Sequence, residues 1–583
     1  MHVLYFAFAN NPDHPLDELK REDAEINRLL ETLAASGRFR IVRDSFATLD
    51  AIAEKLRTYR NELVLFHYSG HAGSNHLDLE GGPARALGIA ALLGACPNLQ
   101  LVVLNGCATV GQVLCLHEGG IPAVIATHRP IEDPKAATFA IQFYRALSYL
   151  DPLEAAFTAA RGYVLALDDR LDIDASRGLA LRQKPADAPC WGLSLAPGRE
   201  DVLRWRLPRL SEAPADYKPN QLLLHTLLSA LAPYRAEIEQ IVKDEEKGKK
   251  RSLIDKREAV LKALPHPVSE LVRYLLTPRS SGSAEMIFFD QPGLARLRQM
   301  ATLYTTVTEL LAFILLAQLW DQLSANEALH IPEATRQAIH RLLYASSDGR
   351  QQYDFLPLIS SIRQALDAND CPHFVEELQA RQEIFEPGQP FHEACSFFSD
   401  VHARLPGLAE SEAFDLSILA EEKLAAVLVE LGFVARYTIA SVKTIDVLKY
   451  RHEKKFRFRH LIVRLQQRFV GLEEEAEDME ALEDIFDSAS VLLLRENDDG
   501  SQSFLTLTPF IIDENAFDEK ATVAKLHFLE RYVREQDGYT YRHIYMLGDQ
   551  PLLVRGQENY AILKQQFDAF SVLLFHQPMK AAV

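Results

Sequence analysis

Cysteine is scarce in this chain: six residues in 583, at positions 96, 107, 115, 190, 371 and 395. Their spacing fits neither a zinc knuckle nor a disulfide scaffold, so most are expected to be reduced thiols buried in cores. Basic charge is also in deficit. The formal net charge is −19, which makes nucleic acid and anionic membrane poor default partners, although a local basic patch could still bind either. Long apolar runs are missing. The longest, Leu310 to Ala317, stops at Gln318, well short of the roughly 18 to 20 residues needed to span a bilayer. The opening Met1-His2-Val3-Leu4-Tyr5-Phe6 has no basic flank or small-residue cleavage site of a secretory signal. Together these absences predict a soluble, cytoplasmic protein with no membrane partner.

What is present is ordinary globular composition, 48% apolar and 25% charged. The length exceeds one core and gives a prior of roughly four domains. Apolar runs at Val3–Ala9, Phe39–Val42, Leu63–Ser69, Leu99–Leu104, Ile121–Thr127 and Trp191–Leu195 read as six strands. Helical periodicity falls between them, as at Ile26, Leu29, Leu30 and Leu33, and again over Leu49–Tyr59, Lys135–Tyr149 and Leu153–Leu167. Strand and helix in alternation imply a mainly parallel sheet covered on both faces. The first domain closes near Pro208, giving residues 1–207.

Two of these strands end beside chemistry. Leu63-Val64-Leu65-Phe66 runs through His67-Tyr68-Ser69-Gly70 to His71, and the run to Leu104 ends in Asn105-Gly106-Cys107. Parallel neighbours would bring His71 and Cys107 to one sheet edge, where open α/β folds place their sites. A thiol attacks only as thiolate, and a strand-to-helix turn supplies unpaired N–H groups that favour it. His71 would be the base. The N–H of Cys107, with one near Ala72 or Gly73, could hold an oxyanion, and Gly70, Gly73 and Gly106 permit close backbone approach. Asn105 or Ser69 could orient the imidazole. Taken singly, a cysteine after a strand is usually a core thiol and a loop histidine usually has no special role; it is the pairing that points to catalysis. A metal shared by His67 and His71 is disfavoured, because four residues of extended chain separate them by about 13 Å and zinc binds at about 2 Å. No metal or cofactor is called for.

Phe66-His67-Tyr68-Ser69-Gly70-His71-Ala72-Gly73 and Leu101-Val102-Val103-Leu104-Asn105-Gly106-Cys107-Ala108-Thr109 resemble the CHAT domain, a caspase-like fold shared with separases. So do Gly120–Thr127, Ile131-Glu132-Asp133 and the closing Trp191-Gly192-Leu193. The resemblance implies a cysteine endopeptidase with His71 as base and Cys107 as nucleophile. It is not to true caspases: Asn-Gly-Cys-Ala replaces Gln-Ala-Cys, and His71 precedes Cys107 by 36 residues where about 50 is usual. Separase-like relatives hold an acidic residue after the fifth strand, which makes Asp133 the candidate for choosing Arg or Lys in a substrate. Helix capping ahead of Pro134 is its plainer role. Glu132 and Asp78 are weaker substrate-binding candidates. In prokaryotic proteins such domains resemble effectors of antiviral defence or signalling, switched on by a partner.

Residues 208–220, rich in Pro, Ala and Ser, read as a linker. Residues 221–484 read as a helical regulatory region through which an activating protein could act. Within it, Lys247-Gly248-Lys249-Lys250-Arg251 reads as a solvated turn or a self-cleavage site. The basic, aromatic run Tyr450–Phe469 reads as a charged amphipathic helix neutralised by the acidic run Glu473–Glu483. The other reading is an anion or nucleotide site of Lys454, Lys455, Arg457, Arg459 and Arg464 with Phe456 and Phe458 for stacking. Strand-like texture from Ser490 marks a small α/β domain over residues 485–583. No Walker motif, dinucleotide fingerprint or fixed-period repeat occurs after residue 220. The reading is thus a caspase-like peptidase cutting a protein substrate. Its rivals are a non-proteolytic scaffold and a peptidase whose C-terminal part senses a nucleotide or nucleic acid.

Overall fold

The computed structural model describes the chain except residues 11–15, 107–108, 129, 168–189, 211–216, 250, 278–288, 327–328, 347–352, 453, 455, 469–470, 482–488, 498–499, 518–523, 545–549, 557–559 and 576–583. Over residues 466–468 and 471–481 the backbone alone is described. The chain divides into two compact units, Met1–Tyr217 and Lys218–Val583.

The first unit alternates as its sequence predicts. β1 (His2–Ala9), β2 (Phe39–Asp44), β3 (Leu63–Gly70), β7 (Leu101–Asn105), β8 (Ala123–Thr127) and β9 (Trp191–Leu195) form a six-stranded sheet in the order β2-β1-β3-β7-β8-β9. Five strands are parallel and β9 runs antiparallel to β8. Between β3 and β7 lies a three-stranded meander, β4 (Ala72–Gly73), β5 (His76–Leu79) and β6 (Gly82–Arg85). Helices α1 (Leu19–Ala35), α2 (Leu49–Thr58), α3 (Ala86–Gly94), α4 (Val113–Glu118), α5 (Asp133–Ser148) and α6 (Leu153–Leu167) complete the unit.

Because strand side chains alternate faces, β3 splits its residues cleanly. Phe66 and Tyr68 enter a core with Val102, Leu104, Ile89 and Leu93. His67 and Ser69 point the other way, toward α1 and α5, where His67 meets the rings of Phe6, Phe8 and Tyr144. The sheet is therefore buried on both faces, which is why its strands read as continuous apolar runs.

The second unit opens with α7 (Gln221–Leu231), α8 (Ala236–Glu246), α9 (Leu253–Ala263), α10 (His266–Leu276) and the 32-residue α11 (Leu294–Ala325). By length and composition α11 could cross a membrane, but its apolar window is 89% buried inside the protein. Gln318, which interrupts the apolar run, is satisfied internally: its amide donates to Pro372 O and accepts from Phe374 N at 3.0 Å. Arg296 and Glu421 form a fully buried ion pair at 2.6 Å. After α8, Lys247 and Gly248 form a turn, with Gly248 at φ +78°, and Asp244 gathers Lys249 and Arg251; Lys250 lies outside the described residues.

The helical expectation through residue 484 is corrected beyond Arg436. Tyr437–Leu448 (β10), Arg457–Arg468 (β11) and Gly471–Ala481 (β12) are strands. They join β13 (Val491–Glu496) and β14 (Gln502–Thr506) in the order β12-β11-β10-β13-β14. One sheet thus crosses the boundary expected at 484/485. The acidic run does oppose the basic one, but strand to strand, with Arg459 across from Glu480 and Arg464 across from Glu475. A four-stranded sheet over residues 511–555 and the helix Ala561–Phe575 finish the unit.

Candidate active site

The register Ser69↔Asn105 between β3 and β7 puts the ends of both strands side by side. The loops leaving the two strands meet there. A Cβ on Gly106 would lie 2.7 Å from the Cβ of Ala72 and 2.7 Å from the carbonyl oxygen of Gly70. Those two residues flank His71. The residue before Cys107 is therefore wedged against both chain neighbours of His71, and only glycine fits. Cys107 and Ala108 lie outside the described residues, but their bracketing residues are fixed.

Two buried threonines hold those residues. The Thr127 hydroxyl, at the end of β8, donates to Gly106 O. It also accepts from Thr109 N at 3.2 Å and lies 3.1 Å from Thr109 Oγ1. Thr109 Oγ1 in turn accepts from Thr127 N at 2.9 Å and lies 3.2 Å from Leu104 O. This clasp closes on both sides of positions 107–108. A short 3-10 turn, Thr109–Gln112, comes next. Gln112, only 2% exposed, sends its amide N–H groups to Gly73 O at 2.9 Å and His76 O at 3.1 Å. Gly111 packs so closely on Ser74 that a Cβ would come within 2.5 Å of Ser74 O. The turn Thr109–Gln112 is thereby bolted to the meander after His71.

The His71 loop has its own anchor. Tyr68, fully buried, places its hydroxyl 2.6 Å from His71 O and 2.7 Å from Asp78 O. Asp78 N donates to His71 O at 2.9 Å. Burial, with the Asp78 carboxylate adding to it, pushes the Tyr68 phenol well above its ordinary range, so it stays protonated and remains a donor. Gly70 is required here, since a Cβ would meet Ala9 O at 2.5 Å and Tyr68 Oη at 2.7 Å. His71 itself is partly exposed.

Beneath this edge lies a polar knot centred on Glu22 of α1, which is 1% exposed. One carboxylate oxygen lies 3.2 Å from His67 Nε2 and accepts from Asn105 Nδ2 at 3.0 Å. The other accepts from Ser69 Oγ at 2.9 Å. Tyr144 Oη meets the second nitrogen of His67 at 3.0 Å, and Asn105 Nδ2 also donates to Ala136 O of α5 at 3.1 Å. Ser69 and Asn105, expected as partners of the His71 imidazole, serve Glu22 instead, because strand alternation sends them to the α1 face. His67 is a structural residue of the same knot.

The three candidate substrate-binding acids each have a partner within the unit. Asp133 opens α5 and its Oδ2 accepts from Glu18 N at 2.9 Å, tying down the start of α1. Glu132 is exposed and pairs with Lys135 at 2.8 Å. Asp78 lies 3.5 Å from His76 Nε2. Of the residues singled out in the sequence, Gly70, His71, Ala72, Gly73, Gly106 and Asp78 come together, and Asp133 begins the helix that Asn105 contacts. Among the described residues no group of three or more His, Cys, Asp or Glu is placed to hold a metal ion.

Sequence reading missed Glu22, Tyr68, Thr109, Gln112 and Thr127. For Glu22 a signal existed: it falls on the same helical stripe as Ile26, Leu29, Leu30 and Leu33, and a carboxylate on an apolar stripe demands buried partners. Thr109 and Thr127 gave none, since their hydroxyls matter only once β7 and β8 are adjacent.

Residues 4–195 match the model of the CHAT domain, a caspase-like, peptidase-related family. The matched stretch lies within the first unit and includes the Gly106 wedge, the threonine clasp and the Glu22 knot. No curated protein matches the chain.

Proposed function

With a CHAT domain over residues 4–195 as the premise, we propose that the first unit is a cysteine endopeptidase in which Cys107 is the nucleophile and His71 its base. The observation that carries this reading is the wedge of Gly106 against Gly70 O and the Cβ of Ala72. It joins the two loops on either side of the residues that must exchange a proton.

In the proposed reaction the His71 imidazole takes the proton of Cys107 Sγ, and the thiolate attacks the scissile carbonyl carbon. The oxyanion that forms is met by backbone N–H groups of Cys107 and of Ala72 or Gly73. The imidazolium then protonates the leaving amine as the C–N bond breaks, leaving a thioester. Water, losing its proton to His71, hydrolyses that thioester and restores the thiol. The substrate is a protein, and residues 218–583 supply recognition or control.

The test compares wild type with Cys107→Ala on candidate protein substrates, together with labelling by a thiol-directed peptide electrophile. Cleavage by wild type alone, and labelling of Cys107 that disappears in His71→Ala, are the expected results. Identical behaviour of wild type and Cys107→Ala toward every bound partner would instead make the domain a scaffold.

A further inference from the structure

A cavity of about 400 Å³ opens among α7, α8, α9 and α10 of the second unit. Its polar lining is unbalanced. Arg257 of α9 has its Nε buried with no hydrogen-bond partner. No carboxylate pairs with its guanidinium among the described residues, and burial pulls its pKa below the ordinary arginine value. Glu245 also lines the cavity, but it is taken by Lys256 in an ion pair. Lys218, exposed at the rim, adds a second cation.

The opposite deficit sits at the head of α7. Asn220 is 8% exposed and occupies a left-handed conformation at φ +64°. Its Nδ2 donates to Leu275 O, while its Oδ1 is buried without a partner. Nor does its side chain cap the helix, so it covers none of the first-turn N–H groups. An arginine Nε and an amide oxygen, each buried without a hydrogen-bond partner among the described residues on the wall of one cavity, each cost free energy unless something completes them.

We propose that this cavity binds a nucleotide-class organophosphate, its phosphate held by Arg257, Lys218 and the head of α7, and a hydroxyl or amino group of its body donating to Asn220 Oδ1. The guanidinium fork matches phosphate oxygens, a helix N-terminus favours the same charge, and the volume falls in the range of small-molecule pockets. Leu224, Leu228 and Leu276 supply an apolar wall for the body of the ligand. Inorganic anions satisfy only half of this arrangement, because they bring nothing to place against that wall.

The test is calorimetric titration of the full chain, carrying Cys107→Ala to prevent self-cleavage, with AMP, ATP, GTP, pyrophosphate, citrate and adenosine at physiological salt. At least one nucleotide is expected to bind about tenfold or more tightly than adenosine, pyrophosphate or citrate. Arg257→Gln and Lys218→Ala should each weaken it by about tenfold without lowering the melting temperature of the unliganded protein, since neither side chain has a polar partner among the described residues to lose. Absence of nucleotide binding, equal binding of citrate or pyrophosphate, or full retention in Arg257→Gln would overturn the assignment. The readout is binding alone, so it is independent of whether Cys107 cuts peptide bonds.

Discussion

Gly106→Ala tests the geometry of the candidate site directly. The new methyl would sit 2.7 Å from the Cβ of Ala72 and 2.7 Å from Gly70 O, whereas carbon contacts relax at about 3.5 Å or more. Neither neighbour is the far end of a flexible side chain, so the loops after β3 and β7 must part by roughly 0.8 Å to reach that separation. Overpacking of this kind costs about 1–3 kcal/mol, a loss visible as a lower melting temperature in a protein that still folds. The chemical penalty is steeper, because a displacement near 1 Å between reacting groups can cost about a hundredfold in rate. Labelling of Cys107 by a peptide electrophile, followed by mass spectrometry over time, measures that penalty without knowledge of the natural substrate. Adding Ala72→Gly removes one of the two clashes and should recover part of the rate, while the Gly70 carbonyl keeps the rest lost. Gly162→Ala is the control: a Cβ there meets nothing within 4 Å, and glycine within a helix gives up about 0.5–1 kcal/mol relative to alanine. A folded Gly106→Ala protein labelled at the wild-type rate would refute the reasoning.

Other perturbations separate scaffold from chemistry. Thr127→Val keeps the side-chain shape but removes the hydroxyl shared by Gly106 O and Thr109, and should cost about 2–3 kcal/mol in denaturant unfolding as well as slowing Cys107 labelling. Asp133→Ala releases Glu18 N and is expected to lower stability by about 1 kcal/mol; the same variant, assayed on Arg- and Leu-containing peptides, shows whether Asp133 also selects a basic residue. Glu421→Ala strands the buried guanidinium of Arg296 and should cost the second unit about 3–5 kcal/mol. For pH, burial lowers His266 from 6.5 to about 3, with His543 adding to the effect. Its folded pKa lies below the unfolded one, so its contribution is complete above about pH 6.5 and shrinks toward pH 3. Between pH 7 and 5 the urea stability should drop by about 2 kcal/mol from this residue, and His266→Gln should flatten that slope.

The first unit was largely legible in the sequence because a parallel sheet buried on both faces leaves apolar runs that end where its loops begin. Gly70, Gly73 and Gly106 could be tied to close approach, but not to particular contacts. That Gly106 abuts Ala72, and that Thr127 reaches back to residue 106, depends on strand order, which no local window encodes. The strands of residues 437–481 are hidden for a different reason. Phe456, Phe458, His460 and Ile462 alternate with other residues in the period of a strand, yet the flanking charge masks that alternation. The glutamates after residue 472 are good helix formers. Pairing with a cationic strand outweighs that local preference, as tertiary context often does.

The Glu22 knot and the threonine clasp also set a timetable. Asn105 is held from Ala136 and Gly106 from Thr127, so the residues leading up to position 107 depend on chain made well after them. Contacts that close such long loops form late and raise the entropic barrier to assembly. When residues 71 and 107 have just been synthesised, β3 and β7 have been made, but β8 and α5, which hold Gly106 and Asn105, have not. The geometry proposed for catalysis is therefore complete only once the chain through Ala136 has been made.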